Sequence, residues 1–136
     1  MQKFFCLALF LPVIATSQNT LTIKATNIKT SDGNIGAAVY NTENGFLKPG
    51  KEFSGAFEKT IKGTTVITIP DLPDGTYAVS IFHDKNGNKK LDTNMLGIPK
   101  EPVAFSNAKM KTFGPPDFEE CAFQVDSDLE ITIPFK

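Results

Sequence analysis

The chain contains no arginine, one histidine and two cysteines, and each scarcity excludes a class of function. A phosphate-reading surface relies on clustered basic side chains with arginine forks. Here every basic residue is a lysine, the lysines are scattered among acids, and the formal net charge is −1. Nucleic acid is therefore not expected as a partner. A zinc centre needs three or four His, Cys or carboxylate ligands, which one histidine and one or two cysteines do not furnish. A Ser/His/Asp or Cys/His arrangement needs an imidazole base, and His83 is the only imidazole. No catalytic site is expected. Long apolar runs are also missing, since the longest, Phe4 to Ile14, is shorter than the roughly 20 residues that span a bilayer.

That one run has a different use. Met-Gln-Lys precedes it and Ala15-Thr16-Ser17 follows, which is the pattern of a signal peptide with a positive start, an apolar centre and small residues at the cleavage site. Residues 1–17 are expected to be removed, leaving a mature chain from Gln18 in the periplasm or outside the cell. Cys6 lies inside the apolar run, so no lipid anchor is expected there. Removal leaves Cys121 alone, and an exported domain without an internal disulfide must be held by its core, helped by any bound ion. In Glu-Cys-Ala-Phe-Gln-Val that thiol reads as a small buried hydrophobe.

Residues 18–136 have the length of one domain. Apolar and polar residues alternate with period two in Leu21 to Ala25, Val66 to Ile69, Tyr77 to Ile81 and Leu129 to Ile133, the signature of half-buried strands. Ile35 to Tyr40 and Phe118 to Val125 are further strands, and a weaker one runs through Phe57 to Ile61 or Pro102 to Phe105. Turn signals separate them, among them Ser31-Asp32-Gly33-Asn34, Leu72-Pro73-Asp74-Gly75 and Gly114-Pro115-Pro116. The expectation is an all-β, single antiparallel β-sandwich of about seven strands, immunoglobulin-like or transthyretin-like. Helix has room only near Glu43 to Phe53 and Asn107 to Thr112. Phe46, Phe53, Phe105, Phe113 and Phe118 are assigned to the core.

The most informative run is His83-Asp84-Lys85-Asn86-Gly87-Asn88-Lys89-Lys90-Leu91-Asp92-Thr93-Asn94. It offers side-chain oxygens at alternate positions, Asp84, Asn86 and Asn88, then Asp92, with the Lys90 carbonyl at the seventh position. Calcium takes six to eight oxygen ligands at about 2.3–2.6 Å, and tight loops supply them with this spacing. Leu91 falls where such loops turn an apolar anchor inward. Two positions depart from the pattern: Lys89 stands where glycine makes the sharp turn, and Met95 where a bidentate Glu would be. Asp117, Glu119 or Glu120 would complete the shell if the fold returned that segment to the loop. With two charged local ligands, affinity falls in the range of extracellular modules, roughly 10⁻⁴ to 10⁻³ M. The alternative is a plain Asn/Gly turn whose side chains bond their own backbone. In either case His83 and Asn94 are expected to support the loop, His83 by hydrogen bonding from the strand end. The segment from Asn94 to Pro116 has no clear period, and loops of that length are usually functional or pinned by a ligand.

Asp71-Leu72-Pro73-Asp74-Gly75-Thr76-Tyr77, the His-Asp-x-Asn-Gly-Asn run, Leu96-Gly97-Ile98-Pro99-Lys100-Glu101, Phe105-Ser106-Asn107 and Phe113-Gly114-Pro115-Pro116 occur together. With them the chain resembles the bacterial exported proteins grouped as domain of unknown function 2141, from about Leu21 to Phe135. The resemblance implies export, one domain and an important loop, but no reaction; the glycine often found in such members is Lys89 here. The Leu-Pro-x-Gly-Thr-Tyr turn is also similar to that of transthyretin-like and carboxypeptidase-regulatory-like β-sandwiches, which bears on fold alone.

The expected function is a non-enzymatic exported binding or structural module with a loop Ca²⁺ site and a protein or glycan partner at the cell envelope. The alternative is a carbohydrate- or protein-binding module that uses the segment from Asn94 to Pro116 without a functional metal. A two-carboxylate hydrolase is the minor alternative, and it requires a cleft with two acids about 5 to 9.5 Å apart.

Overall fold

A computed structural model describes residues 11–13 and 15–136. Most of the expected signal peptide lies outside the described residues. Eight strands and one short helix follow in the order β1 (Gln18–Ile28), β2 (Asn34–Tyr40), β3 (Ser54–Lys59), β4 (Gly63–Pro73), β5 (Gly75–Asp84), β6 (Val103–Phe105), α1 (Phe118–Cys121), β7 (Phe123–Val125) and β8 (Leu129–Pro134). They form a three-stranded sheet, β4-β1-β8, and a five-stranded sheet, β3-β2-β5-β6, with β7 also on β5. The protein is an all-β sandwich.

Side-chain alternation produces the core directly. Leu21, Ile23 and Ala25 of β1 and Ile67 and Ile69 of β4 point inward and are fully buried, meeting Ile35 and Val39 of β2 and Val79 and Ile81 of β5. Each such aliphatic side chain contributes roughly 1.5–3 kcal/mol by leaving water. Central strand β5 is covered on both faces. Tyr77, Val79 and Ile81 face the main core, while Ala78 on the other face packs with Phe105 and Cys121 beneath α1. His83 continues the inward row, and Asp84 ends the outward one.

Three expectations are corrected. Phe118 to Val125 is not one strand, because α1 occupies its first half. The Asp117 N–H donates to Glu120 Oε2 at 2.7 Å and the Glu120 N–H to the Asp117 carbonyl at 3.1 Å. Asp followed three residues later by Glu is a helix-start signal, and it outweighed the alternation. The pairing is also not wholly antiparallel, since β8 runs parallel to β1, with Leu21 opposite Leu129 and Ala25 opposite Ile133. The chain returns to the first sheet only after passing through β6, α1 and β7 in the second, and so enters from the end at which β1 starts. Finally, the phenylalanines are not all core: Phe113 is fully exposed and Phe53 about half exposed, whereas Phe105 is buried.

The two ends of the sandwich are chemically distinct. At one end Asn34 of β2 pairs with both Lys59 of β3 and Asp84 of β5, so the 29–33, 60–62 and 85–102 connections lie together. The other end carries the 41–53 loop, the β4–β5 corner, α1 and the 126–128 turn. At that corner Tyr77 Oη donates to the Pro73 carbonyl at 2.7 Å, tying the first turn of β5 to the last residue of β4 as the chain changes sheets. Tyr77→Phe removes one hydrogen bond at constant shape and is expected to cost about 0.5–1.5 kcal/mol in urea unfolding, with an unchanged dependence on urea concentration.

Candidate functional site

The end of β5 is fixed before the loop begins. The His83 N–H donates to the Pro102 carbonyl at 2.9 Å, and Nε2 of its buried ring lies 2.7 Å from the Asp32 carbonyl. A carbonyl only accepts, so Nε2 carries the proton. The histidine therefore clasps the β1–β2 turn to the strand end.

Asp84, the next residue, is completely buried. Its Oδ1 accepts the Asn88 N–H at 3.2 Å and its Oδ2 the Lys89 N–H at 2.8 Å. Asn86 Oδ1 accepts the same Asn88 N–H at 3.2 Å, and Asn88 Oδ1 accepts the Lys90 N–H at 3.0 Å. These bonds curl the chain back over the carboxylate. Gly87 and Lys89 take left-handed φ of 71° and 61° to make the turn; Lys89 thus holds the glycine-type conformation at the cost of an uncommon one for a side-chain-bearing residue. Gly33 closes the base from outside, with φ 62° and its α-carbon so near the Asp84 carbonyl that any side chain would collide with it.

Asp92 closes the far side of the loop. Its Oδ2 accepts from Asn86 Nδ2 at 2.6 Å and its Oδ1 from Asn88 Nδ2 at 2.9 Å. Asp84, Asn86, Asn88 and Asp92 are therefore brought together, with Lys90 between them. Asn94 forms a separate small turn, its Oδ1 accepting the Leu96 and Ile98 N–H groups at 2.9 and 3.0 Å. Leu91, expected as an inward anchor, is exposed.

The carboxylate that joins the loop from a distance is Glu101. Its Oε1 accepts the Lys85 N–H and its Oε2 the Asp92 N–H, both at 3.1 Å, so one side chain clamps the start and end of the loop. Sequence reasoning missed it inside the segment from Asn94 to Pro116. No local signal marks it, because the Pro102 carbonyl takes the His83 N–H across the sheet and only that contact sets Glu101 beside Lys85.

Glu119 and Glu120 are placed elsewhere. Glu120 Oε2 bonds Lys111 Nζ at 2.7 Å, and Asp117 also pairs with Lys111 at 3.5 Å. The Lys111 hydrogen bond, followed by that from the Asp117 backbone, holds the Glu120 carboxyl below its usual range. A depressed carboxyl favours the folded state above its unfolded value, and that contribution fades as pH falls through the folded value. The helix bearing these acids packs at Ala78, six residues from Asp84, which is about 20 Å along a strand. Cys121, the last residue of the same helix, is buried and its thiol is pushed up to about 11, chiefly by burial, as suits an inert structural thiol.

A cation at this loop would be held by mixed oxygens. Among the described residues, no group of three or more His, Cys, Asp or Glu side chains is gathered to hold a metal unaided. Each Asn oxygen that accepts one N–H still has a second lone pair, and among the described residues no lysine forms an ion pair with Asp84, Asp92 or Glu101. The donor set thus suits a hard cation, although Asp92 is presently satisfied by two amide N–H groups. A cavity of about 30 Å³ lies beside His83, and an open groove of about 260 Å³ is lined by Thr20, Thr22, Asp128, Leu129 and Glu130. Asp128 accepts the Thr20 N–H at 2.8 Å and Glu130 pairs with Lys24 at 3.1 Å.

A family described as "Uncharacterized protein conserved in bacteria (DUF2141)" matches residues 23–132. The chain belongs to that family. The match spans both sheets and the whole of the loop, as the resemblance in the loop, the β4–β5 corner and the segment after Asn94 implied. No curated protein and no solved structure gives a significant match. Among the described residues no helix is long and apolar enough to cross a membrane.

Because Glu101 accepts two backbone N–H groups and Glu119 has no polar partner among the described residues, the two acids are expected to behave differently. Glu101→Ala is expected to lower stability in urea by about 1–3 kcal/mol, and Glu119→Ala to stay within about 0.5 kcal/mol of the parent.

Proposed function

We propose that this DUF2141 protein is an exported, non-enzymatic β-sandwich module whose 84–92 loop takes Ca²⁺. Asp84, Asn86, Asn88 and Asp92 supply side-chain oxygens and Lys90 its carbonyl, while Glu101 braces the loop from outside. The carrying observation is the buried Asp84 carboxylate, beside which Asn86 and Asn88 Oδ1 each accept one backbone N–H and keep a second lone pair. Export is supported by the leader pattern at residues 1–17. Calcium entry exchanges two amide bonds to Asp92 for metal–oxygen contacts, and that exchange keeps the affinity modest. The ion's role is then structural: it stiffens the end of the sandwich that presents residues 92–100.

A second reading is a protein- or glycan-binding module in which the loop is complete without metal. It is favoured by the same two Asn–Asp92 bonds, which already satisfy the carboxylate. A two-carboxylate hydrolase has less support, because the groove holding Asp128 and Glu130 lies below the roughly 300–1,000 Å³ of ordinary ligand pockets and both acids are engaged.

The thermal midpoint in chelator, then in Ca²⁺, with Mg²⁺ as control, separates the first two readings. With about 10 mM Ca²⁺ and a Kd of roughly 10⁻⁴ to 10⁻³ M, the midpoint is expected to rise by about 5–10 °C. Mg²⁺ is expected to do much less. An unchanged midpoint in Ca²⁺ leaves the metal-free module as the function.

A further inference from the structure

The charge on the sandwich is divided between its ends. The end formed by the 29–33, 58–62, 84–102 and 134–136 segments carries eight exposed lysines and five acids, of which Asp84 is buried. The opposite end, built from the 41–53, 70–75, 106–122 and 126–128 segments, carries four lysines and nine acids. Lys24 and Glu130 pair with each other between them. A chain of small net charge is thus a strong dipole with a basic end.

That basic end also bears an apolar tip. Met95 and Leu96 are exposed at 103% and 83%, and Ile98 at 55%. Their turn is closed on itself. Asn94 Oδ1 accepts the Leu96 and Ile98 N–H groups, the Asn94 N–H donates to the Ile98 carbonyl at 2.9 Å, and the Gly97 N–H donates to the Asn94 carbonyl at 3.0 Å. Gly97, with φ 76°, makes this turn possible. The tip therefore holds two large apolar side chains outward while the Asn94, Leu96, Gly97 and Ile98 N–H groups are paired within the turn. Pairing of these donors lowers the cost of bringing the turn to a membrane interface, where its remaining carbonyls can still meet water. Exposed Lys90 and Lys100 flank the 92–100 hairpin in the chain, Lys100 closing it with its N–H on the Asp92 carbonyl, while Lys89 Nζ lies 6.0 Å from the centroid of the Phe57 ring.

We propose that the basic end docks on an anionic lipid surface, with Met95 and Leu96 entering the interface and the flanking lysines meeting the headgroups. Apolar insertion and lysine attraction reinforce each other, since neither gives firm membrane attachment alone. Each lysine held at an anionic surface strengthens binding by about fivefold. The contact is peripheral and does not need the cation, because the Asn94 turn closes through its own hydrogen bonds. It names a partner that the proposed function leaves open, and it is tested in chelator, where the calcium reading makes no claim.

The chain contains no tryptophan, so a single introduced indole reports on one site. The protein from Gln18 onward, which carries every described strand, is mixed in chelator with phosphatidylcholine vesicles with and without phosphatidylglycerol. Leu96→Trp is expected to shift its emission to the blue only with phosphatidylglycerol. Phe113→Trp, at a fully exposed position on the acidic end, is expected not to shift. In co-sedimentation of the otherwise unmodified protein, Met95→Ser with Leu96→Ser is expected to weaken binding tenfold or more, and Lys90→Gln with Lys100→Gln by about twenty-five-fold. All four side chains are exposed, and unchanged thermal midpoints confirm that the fold is retained. No sedimentation with phosphatidylglycerol, or a blue shift at position 113 in place of 96, overturns the proposal. So does salt-sensitive binding indifferent to Met95 and Leu96, which points instead to an acidic protein partner.

Discussion

The candidate site depends on one interaction, the burial of the Asp84 carboxylate at the last position of β5 against two backbone N–H groups. A carboxylate withdrawn from water without partners is costly, so the chain after it has to turn back and supply donors. The Asn88 and Lys89 N–H groups do so. Everything beyond follows from that curl: Lys89 takes a left-handed conformation, Asn86 and Asn88 turn toward Asp92, and Glu101 joins the two ends of the loop. The sandwich contributes by fixing where β5 stops, through the His83 bonds to Asp32 and Pro102.

The same loop geometry has two consequences for function. It brings Asp84, Asn86, Asn88 and Asp92 into one hydrogen-bonded cluster, the cluster on which the proposed cation site rests. It also directs the chain outward into the 92–100 hairpin, where Lys100 N–H bonds the Asp92 carbonyl and residues 95 and 96 stand clear of the protein. A rigid loop base and an exposed apolar tip are therefore parts of one structure. The opposite end, with Phe46 packed edge-on against Tyr40 and Phe118 and Glu120 tied to Lys111, is closed by aromatic packing and ion pairs.

The fold was legible where alternation was strong. Leu21 to Ala25, Val66 to Ile69 and Tyr77 to Ile81 lie in strands with the expected faces inward, because period two has only one interpretation when one face must be dry. Alternation did not reveal the helix at Phe118, since a four-residue helix is decided by its end bonds, nor the parallel pairing of β1 with β8, since pairing partners far apart in sequence leave no local trace. In the loop, the grouping of Asp84, Asn86, Asn88 and Asp92 was legible from spacing alone. Glu101 was not, because its link to Lys85 depends on the Pro102 carbonyl meeting His83 across the sheet. Glu119 and Glu120 were candidates by charge only, and the position of α1 beside Ala78 keeps them at the other end.

The most direct test of this account is hydrogen exchange at the Asn88 and Lys89 amides in the parent and in Asp84→Asn. Asparagine keeps the size of aspartate but offers one acceptor oxygen in place of two. The account predicts that both amides are protected in the parent and that at least one exchanges about tenfold faster or more in the variant, while the amides of β5 before His83 are unchanged. Free exchange of both amides in the parent, or equal protection in the variant, would contradict the claim that the buried carboxylate organises the loop.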